Sequence, residues 1–66
     1  MYGVILYDEH QNKLDYWSFK NSSRVVSVAS GTKYIVVYNV NNDGDPATRG
    51  IVKNTDTDEV LFEWRK

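Results

Sequence analysis

Short runs of apolar and β-branched residues, each broken by Gly, Asn, Asp or Ser, set the rhythm of this chain. That pattern predicts strands near Tyr2–Asp8, Lys13–Lys20, Arg24–Ser30, Lys33–Asn41, Ala47–Asn54 and Glu59–Arg65. The breaks carry turn chemistry. Asp8 to Lys13 suits a four- to five-residue hairpin loop with Asn12 in the left-handed region, and Ser30-Gly31-Thr32-Lys33 suits a tight hairpin with Gly31 at positive φ. Asn41 to Pro46 reads as a longer loop in which Pro46 forbids a ladder hydrogen bond, and Asn54 to Glu59 closes the last hairpin.

One segment has a competing reading. Ser22-Ser23 would cap a short helix over Arg24–Ser30 with Gly31 as its stop. Three valines in the five positions from Arg24 favour the strand. The expected fold is therefore all-β: a small antiparallel meander of five to six strands, closed as a barrel or two-layer sandwich and occupying residues 1–66 as one domain.

Side chains alternate along strands, so hairpin register assigns faces. With Tyr7 opposite Leu14, Ile5 and Tyr16 share their face, and Tyr2, Val4, Leu6, Trp17 and Phe19 form a core-like set on the other. Across the Gly31-Thr32 turn, Val26 and Val28 join Ile35 and Val37 as core, leaving Val25, Ser27 and Ala29 against Tyr38, Val36 and Tyr34 on a half-wet face. In the last hairpin Val60, Phe62 and Trp64 read as core, with Arg49 opposite and stacked on Trp64. Tyr7, Tyr16, Tyr34 and Tyr38 thus fall on outer faces together with Lys20. Tyrosine is amphipathic and favoured in recognition surfaces, although cross-strand packing also employs it.

Composition narrows the function. A chain of 66 residues buries only roughly 60% of its unfolded surface, so its stability needs help. With no cysteine and one histidine, neither a disulfide nor a zinc site supplies it, leaving nine aromatics or self-association. The absence of cysteine is compatible with a reducing, cytoplasmic setting. No run approaches the ~20 apolar residues of a membrane span, and residues 1–8 lack the basic start of a signal peptide. A net charge of −1 argues against binding polyanions by bulk electrostatics.

Catalytic chemistry finds little purchase. His10 falls in a turn where nothing orients it as a base, and the carboxylates lie on loops or face water. Asn39, Asn41, Asp43 and Gly44 echo the first positions of an EF-hand loop, but Gly50 stands where the closing acid belongs, and Asp56-Thr57-Asp58-Glu59 is at most a loose calcium site. No cofactor is expected. Asp8, Glu9, Asp56, Asp58 and Glu59 would share one end of a meander as an acidic knob.

The aromatic run Tyr16-Trp17-Ser18-Phe19 and the segment Gly44-Asp45-Pro46-Ala47 faintly resemble parts of a cold-shock domain, a five-stranded barrel that stacks single-stranded nucleic acid. The resemblance is fragmentary: glycines are missing from residues 12–19, a second aromatic motif is absent, and Asp45 interrupts the Gly-Pro pair.

The reading that results is a non-enzymatic binding module. Its expected partner is a protein, either a second copy in a homodimer or a host or cellular factor that it inhibits or modulates. Tyr7, Tyr16, Lys20, Tyr34, Val36 and Tyr38 are the candidate contact residues, on a tyrosine-bearing sheet face or an edge strand. The alternative is single-stranded nucleic-acid binding on the same tyrosines, which requires Lys20, Arg24, Lys33 and Arg49 to cluster beside them.

Overall fold

The computed structural model describes residues 1–38 and 47–66. Strand β1 (Tyr2–Tyr7) and strand β2 (Lys13–Phe19) form a first hairpin, and β3 (Arg49–Asn54) and β4 (Glu59–Arg65) a second. Between them a 3₁₀ turn over Ser22–Arg24 runs into a helix, α1 (Val25–Tyr38). All pairings are antiparallel and the sheet order is β2-β1-β3-β4. The fold is thus mostly antiparallel sheet, as expected, but the described residues contain four strands and not five or six. The sheet is open, with β2 and β4 as its edges, so neither a meander nor a closed barrel describes it.

The largest correction concerns residues 24–38. Where strands were expected at Arg24–Ser30 and Lys33–Asn41, with the Gly31 turn between them, Val25–Tyr38 is one continuous helix, and residues 39–41 lie outside the described residues. Even the competing short helix is surpassed, because α1 runs straight through Gly31. Half of its fourteen residues are β-branched (Val25, Val26, Val28, Thr32, Ile35, Val36 and Val37), which lowers intrinsic helix preference. Burial outweighs that cost. Ala29, Thr32 and Val36 are buried, with Val25, Val28 and Ile35 packed beside them, and their three- and four-residue spacings describe one face of a helix. That face covers the sheet side formed by Val4, Leu6, Val52, Phe62 and Trp64.

Two local devices allow the helix to sit down. Asn21 accepts from the Ser23 backbone N–H at 3.0 Å, so the cap is Asn21 and not the expected Ser22-Ser23 pair. Gly50 supplies the clearance: a Cβ there would lie 2.6 Å from Thr32 Cγ2 and 3.0 Å from Val36 Cγ2. The hydroxyl of Thr32, carried into the core, donates to the Val28 carbonyl one turn back at 2.9 Å.

The register of the first hairpin agrees with the sequence reading over most of its length: Ile5 pairs with Tyr16, Val4 with Trp17 and Tyr2 with Phe19. At its loop end Leu6 pairs with Asp15 and Tyr7 with Lys13, so Leu14 has no partner opposite it. That irregularity swings Leu14 inward against the cluster of Leu6, Val36 and Ala47, where the plain register had put it on the outer face. A similar step in the second hairpin leaves Leu61 unpaired and Val60 half exposed, although Phe62 and Trp64 enter the core as expected. Positive φ falls at Gln11 and Asp58, not at Asn12 or Gly31.

The β1–β2 loop follows Tyr7 and the β3–β4 loop follows Asn54, whereas Tyr7 pairs with Arg49 and Tyr2 with Asn54. The two acidic loops therefore sit at opposite ends of the sheet, and no common acidic knob forms. The EF-hand echo lies largely in residues 39–46, outside the described residues.

Candidate functional site

The six candidate contact residues do not share a surface. Tyr7 and Tyr16 lie on the sheet face away from α1, Tyr34 and Tyr38 on the solvent side of α1, and Lys20 is exposed just after β2. Val36 is fully buried against Leu6 and Ala47 and is not a contact residue. The alternation of a strand does not hold here: the backbone of α1 turns with a period of 3.6, which sends Val36 and Ala29 inward and Val26 and Val37 outward.

On the open sheet face Ile5 and Ile51 pair at the centre and are almost completely covered. The Tyr16 ring lies across Gly3, its Cε2 3.2 Å from where a Cβ would stand. Cations of the same chain occupy both phenol rings. Lys13 Nζ is 5.6 Å from the Tyr16 centroid and the Arg49 guanidinium 4.9 Å from that of Tyr7. Arg49 does not stack on Trp64, as the sequence reading had it; Lys33 does, at 5.1 Å.

Arg49 Nε also donates to Glu63 Oε2 at 2.6 Å, which together with the nearby Arg65 holds the Glu63 carboxyl below its ordinary pKa. Lys53 Nζ donates to Asp58 Oδ1 at 2.6 Å, lowering the pKa of Asp58 and raising that of Lys53. Lys20, Arg24, Lys33 and Arg49 do not form a stripe beside the tyrosines: Lys33 lies over Trp64, Arg24 in the 3₁₀ turn and only Arg49 on this face.

The solvent side of α1 differs in kind. Lys33 is the single charged residue among its fourteen. Val26, Tyr34, Val37 and Tyr38 are 69%, 56%, 40% and 65% exposed. The Tyr34 and Tyr38 rings touch each other, centroids 5.1 Å apart. Toward the start of the helix this surface narrows to Ser27, Ser30 and Gly31, all exposed. Gly31 gives the helix no visible advantage: its φ is not left-handed and a Cβ there would meet nothing within 4 Å among the described residues. Mid-helix glycine costs about 1 kcal/mol relative to alanine, so the chain carries a penalty at a surface where no packing among the described residues demands it.

Val26, Val37, Ser27 and Gly31 were not among the expected contact residues. The three- and four-residue spacing of Val25, Val28, Ala29, Thr32 and Val36 was the available signal, and the polar Thr32 in its centre obscured it.

His10 extends from the β1–β2 loop, with Nε2 3.4 Å from Glu9 Oε1 and its backbone N–H donating to Asp8. Among the described residues no cluster of three or more His, Cys, Asp or Glu is arranged to hold a metal, and no helix is long and apolar enough to cross a membrane. No protein-family model, curated protein or solved structure matches this chain.

Proposed function

We propose that this chain is a small non-enzymatic protein-binding module that docks through the solvent side of α1 and modulates the partner it covers. The supporting observation is the one just described: a helix with a single charge whose outer side exposes Val26, Tyr34, Val37 and Tyr38. Tyrosine and valine in one patch bury apolar area while the phenol hydroxyls retain hydrogen-bond partners at the rim. Tyr34 and Tyr38 are favoured over Tyr7 and Tyr16 because the latter rings already carry cations of their own chain. Lacking cysteine, the module is suited to a reducing, cytoplasmic setting.

The test is site-specific photo-crosslinking in cells, with a benzophenone amino acid at position 34 or, separately, at position 16. Protein adducts from position 34 and few from position 16 are expected. Adducts confined to position 16, or none from either, refute docking through the helix.

A second reading, single-stranded nucleic-acid binding on the open sheet face, draws on Lys13, Arg49 and Lys53 beside Tyr7 and Tyr16. It requires bases to displace two cations already in place and to overcome the acids Glu63 and Asp58. Saturable quenching of aromatic fluorescence by mixed-sequence oligonucleotides, weakening between about 50 and 200 mM salt, would favour it over the helix reading.

A further inference from the structure

We infer that the occupant of the α1 surface is a second copy of this chain, packed helix to helix in antiparallel orientation about a twofold axis. The inference rests on the docking reading above and adds the partner's identity. Three features of α1 carry it.

The first is charge. A twofold interface sets a surface against itself, so any like charges near its centre repel. The outer side of α1 has no acid, and its one base, Lys33, leans away over Trp64. Such a surface complements its own copy without a countercharge.

The second is shape. Ser27, Gly31, Tyr34 and Tyr38 run down the outer side with spacings of four, three and four residues, a series that reads the same in both directions. Turned end for end, Ser27 of one copy meets Tyr38 of the other, and Gly31 meets Tyr34. The small half of each helix receives the large half of its partner, with the axis between Gly31 and Tyr34. A parallel pairing would set tyrosine on tyrosine and leave a gap at Gly31.

The third is Gly31 itself. Its missing side chain serves no contact among the described residues of one copy. Close approach of a partner helix gives it a purpose, since small residues let helix axes come together and large rings fill the groove beside them.

The first arm of the test is sedimentation of the wild-type chain, cysteine-free and 7.6 kDa, from nanomolar to high micromolar concentration. A reversible monomer–dimer equilibrium is expected. Gly31→Leu, which fills the shelf with a better helix former, should retain or increase helical circular dichroism and lose the dimer. Tyr34→Ser should weaken the dimer about thirtyfold, as a central contact residue does.

The second arm reads orientation. A spin label on Ser27→Cys, eleven residues from position 38, should report a separation of about 19 Å in the antiparallel dimer, from 1.5 Å per residue along the axis and an interaxial distance of 8–10 Å. A disulfide between two copies of Ser27→Cys would instead reveal a parallel pair and overturn the arrangement. A chain that stays monomeric throughout, or a dimer indifferent to both Gly31→Leu and Tyr34→Ser, overturns the inference. If position 34 still crosslinks to a different protein in that case, docking through the helix survives and only self-pairing falls; if it crosslinks to nothing, both fall.

Discussion

Two glycines in this chain have opposite meanings, and their neighbours decide which. Gly50 is a clearance under α1, whereas Gly31 opens onto solvent. Replacing Gly50 with alanine drives a methyl into Thr32 Cγ2 and Val36 Cγ2, both on buried β-branched side chains with little rotamer freedom. The helix must then lift from the sheet, at an expected cost of about 1–3 kcal/mol in chemical denaturation. Adding Thr32→Ser removes the nearer methyl and keeps the hydroxyl on the Val28 carbonyl, so the double variant should recover part of that loss. A double variant whose loss equals the sum of the two single losses would mean the clash is not the cause. Neither role is legible in sequence, where Gly31 reads as a turn and Gly50 as a strand residue. The difference depends on what approaches from another element.

At the scale of elements, legibility follows the range of the interactions involved. The β1–β2 register from Tyr2 to Leu6 is readable because a hairpin's alternation and loop length fix it locally. The irregularities at Leu14 and Leu61 are not; Leu14, for one, packs against Leu6, Val36 and Ala47, which come from three different parts of the chain. The helix is the extreme case. Its β-branched residues favour a strand locally, it has no acid in the first turn and no base in the last, and only the sheet beneath it makes the helical state win. A helix so dependent on tertiary packing should be sensitive to its one strong local device. Asn21→Ala leaves the Ser23 N–H without its side-chain acceptor and should cost about 1 kcal/mol, measured as a lower denaturation midpoint with an unchanged slope. An unchanged midpoint would show that the 3₁₀ turn holds the start of α1 unaided.

At the scale of the molecule the charges of the described residues are dispersed, and this gives the acid limb of stability a simple form. Asp8 is held below its ordinary pKa by the Asn12 backbone N–H in the first loop, Asp58 by Lys53 in the second, and Glu63 by Arg49 on the open sheet face. A carboxyl with a lowered folded pKa stabilises above its unfolded value, near 4, and loses that contribution as pH falls through the folded value. Lys53, raised by Asp58, keeps its contribution up to the ordinary lysine value near 10.4 and loses it above. The melting temperature should therefore be level between about pH 5 and 9 and fall below about pH 4. Glu63→Gln should flatten part of the acid fall, and a fall identical to that of the wild type would remove the Arg49–Glu63 pair from the account. The acids were legible in sequence. Their separation to opposite ends was not, because it follows from β1 lying beside β3, a pairing that the helical crossover creates.

The unpaired leucines at the two edges bear on whether assembly stops or continues. An open sheet offers two rows of outward amides and carbonyls, and flush rows would let copies add strand to strand into a ribbon without end. Each edge strand breaks its line once, at Leu14 in β2 and at Leu61 in β4. A copy laid along either edge finds a step partway and loses the regular ladder that a growing fibril propagates. Both margins are thus poor seeds for strand-to-strand polymerisation, although both edges of the sheet are open.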